Sequence, residues 1–235
     1  MNIESFRRLL KYCFILIVSL CFCGSSAGQE QKVVRDLGLW TEIKLEKEVI
    51  NNLEIFFSQH LRLHKNMTGF DDYISEAGLD YKINSNFDIG AAGRYTRNNH
   101  FDNLAENDYR YDLYFSYDTN ISEKLKIFAR AKYQKEFYRS GVFNEFLHYF
   151  ETTYRYRMKL EFAKDEKHAF YGSAEFFRLA KKSREPFWDK YRIWLGDEIA
   201  GGFGDFDLAW GIEHELNAMN PYTYFILKVN YTIEL

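Results

Sequence analysis

The sequence predicts an all-β chain: a transmembrane, antiparallel up-and-down β-barrel of ten to twelve strands that follows a cleaved signal peptide. Three observations carry the prediction. Apolar and polar residues alternate with a period of two over most of the chain, the mark of strands with one apolar and one polar face. The alternating segments are long, many exceeding the common strand length of roughly 5 to 6 residues. Short connections also take turns with longer ones, as in barrels with tight periplasmic turns and larger outer loops.

The chain opens on a leader. In "MNIESFRRLLKYCFILIVSLCFCGSSAGQEQ", Arg7, Arg8 and Lys11 precede an apolar run from Tyr12 to Cys23, and small residues follow from Gly24 to Gly28. That is the three-part layout of a secretory signal peptide, and the run falls short of the roughly 20 residues that span a bilayer as a helix. Cleavage after Ala27 or Gly28 makes residues 1–28 the signal peptide and 29–235 a single barrel domain, since no Pro/Gly/Ser-rich linker marks a second boundary. Cys23 invites lipidation, but lipoprotein signals want a small residue just before the cysteine and Phe22 is large. Cys13, Cys21 and Cys23, the three cysteines of the chain, all lie in this leader. The mature chain therefore offers no thiol nucleophile, thiolate metal site or disulfide.

The first strand is expected near 36 to 47, where Leu37, Leu39, Thr41, Ile43 and Leu45 oppose Gly38, Trp40, Glu42, Lys44 and Glu46. After Asn51-Asn52 a second, 53 to 64, sets Leu53, Ile55, Phe57, Leu61 and Leu63 against Glu54, Ser58, His60, Arg62 and His64. Further alternating segments fall near 72 to 83 and 87 to 97, and then at 108 to 118, where Tyr109, Tyr111, Leu113 and Phe115 oppose Arg110, Asp112, Tyr114 and Ser116. Next come 124 to 138 and 146 to 162, the latter with Tyr154, Tyr156, Met158 and Leu160 against Arg155, Arg157, Lys159 and Glu161. The segments at 168 to 179, 188 to 199, 205 to 216 and 222 to 235 complete the set, and the last, "YTYFILKVNYTIEL", alternates to the end of the chain. Tight turns are expected at "NN", "NSN", "TNIS", "AKDE" and "GGFG", and longer loops at "KNMTGFDD", "RNNHFDNLAEN", "YRSGVFN" and "KKSREPFW".

A soluble barrel or sandwich would alternate too. Strand length, the loop rhythm behind a leader, and a nearly charge-free apolar face rich in Tyr and Phe favour the membrane. In lipid every backbone group must pair internally, so the wall must close on itself. Eleven segments raise a difficulty, because an odd count closes in parallel whereas bacterial single-chain barrels have even counts. Either an extra short strand in "QEQKVVRD", residues 29 to 36, or one segment fewer among the eleven would restore antiparallel closure, which leaves ten to twelve strands.

The segments "LGLWTEIKLEK", Leu61-Arg62-Leu63, "GRYTR" at 93 to 97, "RYRMKLEF" at 155 to 162, "SAEFF" at 173 to 177 and "YRIWLGDEI" at 191 to 199 resemble a family. They look like the uncharacterised outer-membrane barrels grouped as domain of unknown function twenty-four ninety, a likeness that spans essentially all of the mature chain. The resemblance implies an outer-membrane location in a Gram-negative bacterium and transfers no activity. The closing strand also resembles the terminal signal read by barrel-assembly machinery, although Leu235 stands where such signals usually end in an aromatic.

If the apolar parity faces lipid, the polar parity lines the lumen: Glu42, Glu54, Arg62, Glu76, Asp80, Arg94, Arg110, Asp112, Arg130, Glu151, Arg155, Arg157, Glu175, Arg192 and Glu198. Interspersed signs fit charges paired across a narrow interior, since an unpaired buried charge costs several kcal/mol. They also fit a charge-lined solute path. Eight strands leave an interior filled by side chains, whereas roughly 16 to 18 leave an aqueous channel.

Ser58 with His60, and His168 with Ser173, are the pairs that a hydrolase would use, but spacing gives neither their distance nor an orienting group. His60 with His64, or Glu145 with His148, sit too far apart along a strand for a dedicated metal site, so no metal or other cofactor is expected. "GGFG" reads as a turn and not a phosphate cradle. A formal net charge of -3 without a basic block gives nucleic acid nothing to hold. The sequence thus predicts a non-enzymatic outer-membrane barrel with a polar lumen, a narrow channel or transport path for small solutes, in contact with outer-membrane lipids. The alternatives are a non-conducting structural or surface-binding barrel acting through its outer loops and, further off, an outer-membrane lipid or ester hydrolase.

Overall fold

The computed structural model describes residues 34–99, 105–139, 150–181 and 184–235, and these residues are built from strands and turns. The leader (1–28), residues 29–33 and the Glu145/His148 pair lie outside the described residues, as do the centres of two of the expected long loops, 100–104 and 140–149. Eleven strands follow in order: β1 (Val34–Ile50), β2 (Leu53–His64), β3 (Gly69–Lys82), β4 (Phe87–Asn99), β5 (Ala105–Ser122), β6 (Leu125–Arg139), β7 (Phe150–Ala163), β8 (His168–Lys181), β9 (Arg184–Ile199), β10 (Asp205–Glu215) and β11 (Tyr222–Glu234). Each pairs with its neighbours in the chain, and β1 pairs with β11, so the sheet closes into a barrel.

Closure is parallel, which corrects the expectation of a wholly antiparallel wall. Val34 lies beside Tyr222 and Glu46 beside Glu234, in unbroken register over the whole contact. Residues 34 to 36 form the start of β1 itself, so among the described residues no extra strand precedes it. With an odd number of alternating strands, first and last must run the same way. The register is fixed by parity, because a one-residue slip would turn every side chain of β1 to the other face.

The strands also run further than alternation suggests, which shortens the expected loops. "KNMTGFDD" becomes a four-residue turn at 65–68, with β3 resuming at Gly69, and "KKSREPFW" is taken up almost entirely by β8 and β9. In the first of these, Lys65, Asn66 and Met67 all hold positive φ (51°, 54° and 64°), a conformation costly for residues with a Cβ. Asp36 compensates. Its carboxylate accepts the N–H groups of Leu37, Lys65 and Asn66 and the Tyr222 hydroxyl, each at 2.8 Å. One side chain thereby pins the 65–68 turn to the rim of the parallel seam.

Parity sorts the faces. Ile43, Ile55, Phe57, Leu79, Leu113, Met158, Leu195 and Leu227 are exposed on the outside, whereas Ile74 and Ile226 are sealed inside. Charged residues of the outer parity, Arg35, Lys47, Arg97, Lys135, Arg178 and Asp197, sit within about four residues of a strand end, so the band between the rims carries no charge among the described residues. Near the loop rim that band is edged by Tyr95–Tyr109, Tyr133–Tyr154 and Tyr156–Trp188 ring contacts at 5.3, 5.7 and 6.1 Å. Near the turn rim, Phe87–Tyr117 and Phe206–Tyr231 pack at 4.9 and 4.5 Å.

Inside, glycines receive rings from the next strand. Phe56 lies on Gly78, Tyr114 on Gly90, Tyr171 on Gly196 and Trp194 on Gly211, each ring directly opposite its glycine in register, and a Cβ at any of the four would overlap it. At the seam, Tyr224 covers Gly38 from a position two residues out of register, the diagonal that parallel pairing leaves. Laid against the wall, these rings occupy little of the interior.

Candidate functional site: a charge-lined lumen

The barrel encloses a cavity of about 720 Å³, room for roughly two dozen waters at about 30 Å³ each. Twelve of the fifteen candidate lumen residues line it directly: Glu42, Arg62, Glu76, Arg94, Arg110, Arg130, Glu151, Arg155, Arg157, Glu175, Arg192 and Glu198. Asp112 sits just behind, fully buried, accepting from Arg110 at 3.1 Å, Lys132 at 3.1 Å and Gln134 at 2.9 Å. Glu54 and Asp80 fall nearer the turn rim. Glu54 lies 3.8 Å from Lys44, and Asp80 is beside Gly90, outside the residues that line the cavity.

These groups follow the wall around the barrel. Arg94 pairs with Glu76, whose carboxylate is also 3.8 Å from Arg110. From Asp112 the chain of contacts passes through Gln134 to Arg155, which binds Glu175 at 2.7 Å, and Glu175 faces Arg192 at 3.5 Å. Arg192 pairs with Glu213 and lies 4.7 Å from the Trp40 ring, which Arg62 also approaches, at 4.1 Å. Arg62 reaches Asp72 at 3.4 Å, back on the strand that carries Glu76. Most links join neighbouring strands, so the pairs hug the wall and leave the middle open.

Several partners had no signal in the sequence beyond parity. Lys132, Gln134, Lys190, Glu213 and Lys228 are as much part of the lining network as the fifteen candidates, with Lys190–Glu213 at 3.0 Å and Lys228 paired with Asp207. All five lie on the inward parity of β6, β9, β10 and β11, and a complete reading of that parity would have found them. An apolar cluster of Tyr171, Trp194, Ala209, Tyr224 and Ile226, with Trp40 and Tyr222 against it, fills one side of the interior beside the seam.

The two Ser/His pairs separate. Ser58 Oγ lies 3.0 Å from His60 Nε2, and Glu42 is 3.7 Å from the other ring nitrogen. Ser58 is only 1% exposed and does not line the cavity, whereas His60 does. His168 bonds Asp197 at 2.8 Å and stacks on outward Phe170, while buried Ser173 belongs to the inward parity of the same strand. That pair is on opposite faces. Among the described residues, no three of His, Cys, Asp and Glu gather as metal ligands.

The family model described as "Protein of unknown function (DUF2490)" matches residues 37–200. The chain belongs to this family. The match runs from β1 to the end of β9, short of the whole mature chain that the resemblance suggested, and β10 and β11 lie beyond it. All fifteen lumen candidates lie within the matched span and twelve of them line the cavity, so the family's shared segment supplies most of the charged interior. No curated protein and no solved structure matches the chain.

Proposed function

We propose that this protein is a barrel of the Gram-negative outer membrane whose polar lumen is a narrow path for small solutes, with no catalytic role. One observation carries the reading: a closed wall that outside is apolar, aromatic-edged and, among the described residues, free of charge between its rims, and that inside is lined mainly by charged residues. A soluble barrel gains nothing from so much exposed Leu, Ile and Phe, whereas in lipid that band is the stable surface and the aromatic edges sit at the headgroups. Closure supports the same reading, because an open edge would leave backbone groups unpaired in hydrocarbon. The leader at 1–28 accounts for export, and β11 would be the strand that assembly machinery engages.

The lumen supports a path because its ion pairs lie along the wall and its rings fold onto glycines, leaving a solute-sized space. Planar-bilayer recording on the refolded protein tests this. Discrete steps of small conductance are expected, and a silent barrel that still shows heat-modifiable migration and fractionates with outer membranes would reduce the function to a structural or surface-binding one.

A further inference from the structure

Three pairs of cations stand directly opposite each other on neighbouring strands inside the barrel: Arg94 with Arg110, Lys132 with Arg155, and Arg130 with Arg157. Like charges placed so are destabilising unless something of opposite sign lies between them. Two of the pairs have it. Glu76 serves both Arg94 and Arg110, and Arg110 also meets Asp112. Lys132 takes Asp112, and Arg155 takes Glu175 and the Gln134 carbonyl.

The third pair lacks it. Among the described residues neither Arg130 nor Arg157 has a carboxylate within ion-pair distance. Arg130 spends one N–H on the neutral Ser116 hydroxyl at 2.8 Å and lies 4.6 Å from the Tyr114 ring. Arg157 has a buried Nε with no hydrogen-bond partner. Glu175 stands opposite Arg157 on the next strand, but its oxygens are engaged by Arg155 and Arg192. Both arginines line the cavity. A bare pair of forks in a confined polar space matches the planar, bidentate demand of an oxyanion.

We infer that Arg130 and Arg157 form an oxyanion site in the lumen, which takes a small phosphate- or carboxylate-bearing solute as the missing counter-charge. This rests on the proposed solute path and names the class of solute that would dwell in it.

The test is calorimetry on the refolded barrel in detergent, titrated with inorganic phosphate against sodium chloride of equal ionic strength. Saturable binding to one site is expected, weakened roughly tenfold or more by Arg157→Gln and further by the double variant with Arg130→Gln. Arg35→Gln, at the outer rim, should bind as the parent does. In phosphate-free buffer Arg157→Gln should melt above the parent, because a repulsion is removed, and phosphate should reverse that order. Should the double variant fail to refold, the single variant and the melting order decide the matter. No saturable heat, equal binding by the Gln variants, or a lower melt for Arg157→Gln without phosphate would overturn the site. Failure here leaves conductance untouched, and a silent barrel that binds phosphate would sink only the path.

Discussion

At the scale of single residues, Asp36 carries more of the architecture than its place at a strand start suggests. Four donors converge on its two oxygens, and two of them, the N–H groups of Lys65 and Asn66, come from left-handed residues. Asparagine would turn an NH₂ toward some of those donors. Asp36→Asn is therefore expected to cost about 1 to 3 kcal/mol, as for charge-assisted hydrogen bonds generally, read as a lower urea midpoint for the heat-modifiable form. An unchanged midpoint would show that the 65–68 turn holds itself. Nothing in the sequence marked Asp36, because its partners at 65, 66 and 222 come from two other strand ends. The lumen charges were legible for the opposite reason. Each announces its face by parity with its own neighbours, and parity is local. What parity cannot supply is which charge meets which, and so the bare Arg130–Arg157 pair emerged only from the register.

Among elements, the seam between β1 and β11 is the least ordinary. Parallel pairing is slightly weaker per residue than antiparallel pairing, and here side chains reinforce it. Tyr222 reaches Asp36, Tyr224 crosses to the Leu63 carbonyl at 2.7 Å, and Asn230 donates to Glu42 at 3.0 Å. Gly38 permits the second of these, since a Cβ there would meet the Tyr224 hydroxyl and the Leu63 carbonyl oxygen. Gly38→Ala should therefore destabilise the barrel by about 1 to 3 kcal/mol, the usual range for overpacking. Gly93→Ala, where a Cβ would meet no atom, should be neutral. Equal midpoints for the two variants in urea would refute this account of the seam. The long strands and their faces followed from alternation. Their ends did not, because β3, β5 and β9 continue through polar residues at the rims, where both faces meet water and alternation no longer reports burial.

For the molecule as a whole, the odd strand count has a directional outcome. Val34 begins β1 at the rim that carries the 65–68 turn, and β11 ends at Glu234 beside the turns at 51–52 and 200–204. The absence of cysteine after Cys23 makes single introduced thiols clean reporters. With the short turns in the periplasm, Arg35→Cys should react with a membrane-impermeant maleimide on intact cells, and Gly202→Cys only after the outer membrane is breached. Labelling of both from outside, or of Gly202→Cys alone, would reject this orientation. The closed all-β wall was legible in the sequence; its parallel joint was not, because antiparallel closure is the expectation there and an odd count a difficulty to be repaired. Cavity size was not legible, since it depends on rings lying flat against glycines of adjacent strands. The parallel joint also bears on biogenesis. On the proposed topology an exported chain arrives on the inner side, yet β1 starts at the cell surface. The start of β1 must therefore be carried outward through or along the assembling wall before β1 and β11 can zip together, a threading step that a barrel with an even number of strands never faces.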